Sequence, residues 1–544
     1  MSEHQPDQQP DQQDSRPEGR RRAAAASTAP TGPTGRRPAV ATVAAVVLVV
    51  LVVVAALLSR PAAGGAPGGA APEAVALATD VVACPAALGD AGGRSGGDDT
   101  GVTVLSDPTV ALDAAGVTGT DGDGGTGSDV TAAGDSLDLT AAEGRSSASV
   151  GSVGRAGETE VLGSGDLAAG LAATRTSAGT DLAALDCPST TTDQWFTGLG
   201  AAPAHSSVLV LHNPDAGTAT ADLVVHGPDG TLTNDRLRGV SVPAGGTVRL
   251  RLADLVPSTG ELAVQVSVDR GRLAVTAVDT VDRIAARTTS EYLVGQSSAS
   301  NRSVLAGVAD LGEDLDVATL VVHNTGTDRT DVSVRLVSDR ATFDAAGTGR
   351  LRVRPGATAT LDLTDVLTSR AARDALAVVV NADQPLTTTL RTVVGGDLAE
   401  ITPVSPLTSG GSVAPAGLAL TGTASTLVLT ADEGGSGAGS GAGSGEDGED
   451  GAGRLTARVS VLAADGTVLS GEQVRVTPGA AARLSLPARA AAVVVEPQDG
   501  GLRGAVVVGG PDADGTAVLG LRTLEATTLV PHVRPGGLDA GAGG

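Results

Sequence analysis

Short apolar runs punctuated by Gly, Pro and Asp dominate the second half of the chain. Residues 208–211, 223–225, 264–268 and 273–278 are Val- and Leu-rich stretches of strand length. Leu250 and Leu252, and again Leu361 and Leu363, alternate with Arg or Asp, the period of a half-buried strand. Asp229-Gly230 and Asp465-Gly466 are hairpin signals. Six to eight such strands in about 110 residues predict a β-sandwich of immunoglobulin-like kind.

The pattern also repeats. Leu209-Val-Leu-His212-Asn213 returns as Leu320-Val-Val-His323-Asn324, an offset of 111 residues. Val242-Pro-Ala-Gly-Gly-Thr247 returns as Val353-Arg-Pro-Gly-Ala-Thr358, and Leu250-Arg-Leu252-Ala-Asp254 as Leu361-Asp-Leu363-Thr-Asp365, both at 111. Leu262-Ala-Val264 matches Leu376-Ala-Val378 at 114; the three extra residues fit a helical turn near Ser369-Arg-Ala-Ala-Arg373. A third copy shows in Val476-Thr-Pro478-Gly479 and Leu484-Ser-Leu486, 123 residues after the second. Residues 116–134 and 434–453 read instead as acidic, Gly-rich loops.

Residues 39–58 carry a different pattern: twenty positions with Thr42 alone polar. That length crosses a hydrocarbon core of about 30 Å. Six Arg precede it and only Arg60 closely follows, so the positive-inside bias places the N-terminus in the cytoplasm and the bulk outside. A cleaved signal peptide is the rival reading, since Ala62, Ala63 and Ala66 follow, but the preceding tail and the apolar run are both long for one. Residues 1–38 carry six Arg and five acids, a net +1; residues 59–544 carry 31 Arg and 57 acids, a net −26. The tail is Gln-, Pro- and Asp-rich and reads as disordered; with no Cys and only His4, it lacks the cluster of a zinc-binding anti-sigma module.

Composition removes several chemistries. All 37 basic residues are Arg, which excludes a P-loop lysine and hence that mode of nucleotide binding, a pyridoxal Schiff base and any Ser–Lys dyad. A net charge of −25 argues against nucleic acid as partner. Seventy-six Gly without a G-X-Y period exclude collagen. Two Phe, one Trp and one Tyr leave the cores to Val, Leu and Ala, and leave few platforms for sugar stacking.

Candidate chemistry is sparse. Cys84 and Cys187, each followed by Pro, are the only cysteines, and both fall outside on this topology. Pairing as a disulfide is the simplest outcome there, with a catalytic thiol as the alternative. Gly124-Gly125-Thr126-Gly127-Ser128-Asp129 matches a calcium nonapeptide, but as a single copy it reads better as a plain acidic loop. His205, His212 and His226 are too few on any one strand for zinc, and the matched His212 and His323 point to a repeated structural role beside a turn-closing Asn. Asp254 and Asp365 also match; as a carboxylate pair they would suggest glycosidase chemistry, and as turn caps they need no partner. Trp195-Phe196 reads as a packing plug between modules.

Five segments together carry a resemblance: Cys84-Pro85, Gly165-Asp-Leu-Ala-Ala-Gly170, Cys187-Pro188, Trp195-Phe196-Thr-Gly198 and Leu209-Val-Leu-His-Asn213-Pro214. The chain resembles, over most of residues 74–535, the actinobacterial domain-of-unknown-function family 5719. The resemblance implies a single-pass anchored envelope protein with a β-rich ectodomain, no assigned site, and a link to cell-surface polysaccharide assembly beside envelope glycosyltransferases. The long acidic insertions depart from that pattern.

The expected architecture is mostly β, with tandem immunoglobulin-like β-sandwich modules after one N-terminal transmembrane helix. Residues 1–38 form a disordered cytoplasmic tail, 39–58 the membrane helix and 59–73 a linker. Residues 74–190 form an irregular β module, and 191–300, 301–412 and 413–535 are sandwich repeats, the last with the disordered insertion 434–453 and a disordered tail at 536–544. The expected function is a non-catalytic protein of the cell membrane and envelope, acting through protein contacts of its modules, with a glycosyltransferase among the candidate partners. A ligand-binding or adhesive ectodomain and an envelope hydrolase are the alternatives. No catalytic, cofactor or metal residue is assigned; the site residues are the disulfide pair Cys84 and Cys187.

Overall fold

The computed structural model describes residues 72–530, apart from 94–98, 116, 118–127, 143–147, 180, 283–286, 310, 312–313, 408–423, 435–452 and 511–512. The expected membrane segment 39–58, most of the loop 116–134 and nearly all of the insertion 434–453 lie outside the described residues. No helix among the described residues is long and apolar enough to cross a membrane.

The fold is mostly β and antiparallel. One module illustrates the plan. Its first layer runs Gly230–Leu232, Ala219–Gly227, Ser258–Arg270, Asp193–Ala202; its second runs Thr247–Arg251, His205–His212, Ala274–Asp282, Thr288–Val294. Phe196, Leu223 and Val264 from one layer meet Leu209, Val275 and Leu293 from the other in a single core. Alternation along Ala219–Gly227 puts every second side chain into that core, as a half-buried strand requires. The next module repeats the plan with Leu315–Asn324, Thr330–Ser338, Thr358–Asp362 and Asp397–Ile401 in the matching places. There one 20-residue strand, Ala375–Val394, serves both layers where the preceding module uses two strands, Ser258–Arg270 and Ala274–Asp282, and a turn. The difference is local: Gly271 takes a φ of 80° to turn the chain sharply, whereas the corresponding stretch ends in Gln384-Pro385 with no glycine.

The first module departs from expectation. Residues 74–190 are not irregular: Thr79–Cys84, Thr159–Ser164 and Asp129–Ala132 pair in the first-layer order. Leu182–Asp186, Leu171–Ala178, Asp99–Ser106 and Ser149–Val153 pair in the second-layer order. It is a further copy of the same plan. Its kinship was invisible in sequence because helix Pro108–Ala115 and the acidic loop replace the marker residues. The last module keeps both layers, with Leu455–Ala463 between Val468–Val476 and Ala490–Pro497, and Ala424–Ala431 between Ala481–Leu486 and Leu502–Gly510. Asp229-Gly230 and Asp465-Gly466 close hairpins as expected.

The four modules close a ring. Each ends on a short inner strand: Leu182–Asp186, Thr288–Val294, Asp397–Ile401 and Ala513–Gly520. Each of these touches the next, and the fourth returns to the first. Glu73–Ala76 pairs antiparallel with Thr527–Val530, so the two ends of the described chain clasp each other. Three seams are apolar. Leu88 and Leu185 pack on Val278 and Tyr292; Val304 and Leu376 on Ala505 and Val507; Leu105 and Val150 on Leu462 and Val494. The seam between the second and third modules is polar.

Cys84 and Cys187 form the disulfide, with Cα atoms 4.7 Å apart across 103 residues. The bridge joins the opening strand of the first module to the end of its inner strand, inside the core of Val82, Val104, Val161 and Leu171. Closing a loop of that length contributes about 4–5 kcal/mol on the chain-entropy model. Reduction, or Cys84→Ser with Cys187→Ser, is therefore expected to lower the unfolding temperature. Limited proteolysis should then show new cuts first within residues 84–187. Free thiols in the oxidised protein, detected by alkylation and mass spectrometry, would refute the bridge.

Candidate functional site

Two polar constructions stand out in a molecule whose strands are mostly Val, Leu and Ala. The first lies where the inner strands meet. The tight turn Gly395-Gly396 starts the third inner strand with Asp397, fully buried. Its Oδ2 accepts the backbone N–H of Leu182 at 3.2 Å and of Thr516 at 3.1 Å. Its Oδ1 accepts the Thr289 hydroxyl at 3.0 Å. One carboxyl thus joins the inner strands of all four modules. Gly515 lies so close that a Cβ there would collide with Oδ2. Burial pushes the Asp397 pKa up to about 7 despite these donors, with Asp181 adding to the rise and Arg287 opposing it. The neighbouring Glu291 is raised well above the usual carboxylate range, again by burial.

The second construction is the polar seam. Arg391 and Glu400 face each other across adjacent strands, with Nε–Oε1 at 3.0 Å. Both Arg391 Nη groups reach the Glu261 carboxylate of the preceding module at 2.9 Å, and Nη2 also donates to the Gly198 carbonyl. His205 Nε2 lies 2.9 Å from Asp279 Oδ2, and its Nδ1 lies 3.4 Å from Glu261. Burial works against a charged His205, but Asp279 beside it outweighs this and lifts its pKa to about 9. Burial likewise opposes ionisation of Glu261, and Arg391 overrides it, holding that carboxyl at about 2. Burial pushes the Glu400 pKa up to about 8, and Arg391 opposes the rise. Arg391 and His205 face the carboxyls of Asp279, Glu261 and Glu400, and this pairing is what lets charges persist in a buried seam.

Ser207 completes the cluster and shows that it is not a nucleophilic triad. Its hydroxyl donates to Asp279, the same carboxylate that His205 contacts. The imidazole therefore does not face the hydroxyl, as activation of a serine requires.

The aromatic plug is next to this seam. Trp195 stacks against His323 and His226 with ring centroids 5.2 and 5.8 Å away, and the two imidazoles are 4.5 Å apart. Trp195 therefore packs between modules as expected, while Phe196 belongs to its own module's core. Nδ1 of His323 donates to the Ala357 carbonyl at 3.2 Å. Burial, aided by His226, lowers the His323 pKa to about 3.

Other anticipated residues resolve plainly. His212, the repeat partner of His323, likewise faces the preceding module, 3.7 Å from Glu160 and 2.9 Å from the Thr247 hydroxyl. Asn213 and Asn324 each close a turn as expected, donating to Gly217 and Asp328 carbonyls and accepting the N–H two residues on. Asp254 and Asp365 lie exposed in short helices, and neither caps one; Asp362 accepts the Thr364 N–H instead. The turn-cap expectation for that pair is thus corrected. Of the calcium-like stretch only Ser128 and Asp129 are described, and Asp129 accepts the Ser136 hydroxyl. Among the described residues no group of three His, Cys, Asp or Glu is arranged to hold a metal ion.

A cavity of about 940 Å³ opens beside the inner strands, with walls from all four modules. Asp186, Gln296, Glu400 and Arg522 are among its lining residues. Arg522 Nε pairs with Asp186. The signal for these residues in sequence is a lone charged or amide group inside a strand-length apolar run, as in Leu390-Arg391-Thr-Val-Val and Leu398-Ala-Glu400-Ile.

Fold and site together define a class: repeated antiparallel β modules closed around buried polar contacts, rather than a single sandwich. The chain belongs to the family of unknown function DUF5719, whose model matches residues 161–487 and so more than half of the chain. The search of curated proteins finds no match.

Asp397→Ala should strand three donors, each costing about 1–3 kcal/mol when buried without an acceptor. Asp397→Asn, which keeps one oxygen, is expected to cost less. Equal melting temperatures for the alanine variant and the parent would show that the carboxyl does not tie the inner strands.

His323 gives a pH test. Its folded pKa lies below the unfolded value near 6.5, so it favours the folded state above that pH. The contribution is lost as pH falls from about 6.5 towards 3, by about 1.4 kcal/mol per unit. His323→Gln should flatten the fall in stability between pH 6.5 and 4, measured by denaturant unfolding with Trp195 fluorescence as the probe.

Proposed function

We propose that this is a non-catalytic cell-envelope protein, anchored by residues 39–58 with its N-terminus in the cytoplasm, that works outside as a rigid ring of β modules through protein contacts. Surface polysaccharide assembly is the process proposed, with envelope proteins such as a glycosyltransferase as partners. The modules are immunoglobulin-like in being two antiparallel layers over one core, with a strand order of their own. The ring closure carries the reading: a body tied at its centre by Asp397 and clasped at its ends suits the holding of partners in fixed relation.

The groups that chemistry would need support the same view. Both cysteines are consumed in the disulfide, which fits an oxidising compartment. Ser207 and His205 share one carboxylate, and burial keeps His323 neutral. One observation favours a second reading, a ligand-binding ectodomain: the cavity walled by all four modules.

A reporter fused after residue 75 is expected to be active only outside the cytoplasm. Cytoplasmic activity would reverse the topology, and release into the medium would replace the anchor by a cleaved leader. Pull-down from detergent-solubilised membranes should recover a membrane glycosyltransferase. Retention on purified cell wall with no protein partner would favour the ligand-binding reading.

A further inference from the structure

The walls of the axial cavity hold five polar side-chain atoms that are buried and have no hydrogen-bond partner within the protein. They are the side-chain nitrogens of Gln194 and Gln296, Nη2 of Arg522, Oδ1 of Asp186 and Oε2 of Glu400. Gln194 and Gln296 are only 6% and 8% exposed. The Gln296 amide is oriented by its own oxygen, which accepts the Thr388 N–H at 3.1 Å, so its nitrogen is left over. A buried donor without an acceptor costs about 1–3 kcal/mol. Three such donors and two carboxyl oxygens in one cavity mark a place where a ligand completes the bonding.

The mixture of donors and acceptors names the ligand's chemistry. A sugar hydroxyl donates and accepts at once, and so satisfies both kinds. More hydroxyls line the wall at Ser189, Thr191, Ser297, Ser303, Thr402 and Thr523. Tyr292 is the one aromatic in the lining, and its hydroxyl is committed to the Ala86 carbonyl. Recognition would therefore run through hydrogen bonds without a stacking face. Charge adds a second requirement. In a chain of net charge −25, four Arg line this wall; Arg272 is paired with Asp215, and Arg302 and Arg503 with Asp432, which leaves Arg522. Arg522 uses Nε on Asp186 and keeps Nη2, so an Arg donor is available to a carboxylate. The volume lies within the range of about 300–1,000 Å³ typical of small-molecule sites.

We infer that the axial cavity binds an acidic saccharide, a hydroxyl-rich ligand bearing a carboxylate, held by Gln194, Gln296, Asp186 and Arg522. The inference deepens the ligand-binding reading and is independent of the partner-holding one, which the pull-down tests separately.

The experiment is isothermal titration calorimetry of the detergent-solubilised full chain with trigalacturonate, maltotriose and inorganic phosphate. Trigalacturonate should bind at least tenfold more tightly than maltotriose, and phosphate should not compete. Gln194→Met should weaken trigalacturonate at least tenfold while leaving the melting temperature close to the parent. If that variant fails to fold, Thr523→Val serves as the second probe, with a loss of severalfold expected. Equal affinity for the two trisaccharides overturns the acidic part of the proposal. Competition by phosphate reduces it to a general anion site, and no binding of either sugar overturns it entirely.

Discussion

Asp397 is the point on which the ring depends. A carboxyl group accepts from several donors in different directions, and here it collects them from strands lying 215 residues upstream and 119 downstream. A main-chain N–H group in a buried strand needs an acceptor. A carboxyl at the centre, on a residue of the remaining module, accepts such N–H groups from two modules and the Thr289 hydroxyl from a third. The cost is burial of an acid, visible in the rise of its pKa to about 7. Gly515 is part of the same arrangement, since any side chain there would displace the carboxylate.

The ring also answers a weakness in the modules themselves. With four aromatic residues in the chain, the cores are built from Val, Leu and Ala, which bury little area each. Shared seams add to that burial. Ala183 and Leu185, at the end of the first module, pack against Val278 and Tyr292 of the second, and Leu182 and Ala184 join the core of the last. The same inner strand thus stabilises its own module and two neighbours, and the clasp at Glu73–Ala76 holds the ring shut.

The polar seam sits on different physics. Arg391 is buried with partners from two modules, Glu261 and Glu400, so its desolvation is offset only when both modules are in place. An apolar seam tolerates a slip of register; a bidentate Arg–carboxylate contact does not. The seam therefore sets the relative position of the second and third modules, with Trp195 and His323 packed beside it.

Much of the local structure was legible from the residues alone. Alternation in Ala219–Gly227, Asp-Gly hairpins, the turns closed by Asn213 and Asn324, and the pairing of two lone cysteines all depend on neighbours in the chain or on compartment chemistry. The repeat at offset 111 was legible for the same reason, because it is a repeat of side chains. The first module's membership was not, since its kinship lies in backbone pairing while its marker residues have been replaced. Nor were the Asp397 junction, the Arg391 network or the cavity. Periodicity tells whether a residue points in or out of its own sheet; it carries no information on which distant strand end will arrive beside it. Glu261 and Arg391 are 130 residues apart, and Leu182 and Asp397 are 215 apart. Only closure of the ring brings such pairs together, and with them a cavity walled by all four modules.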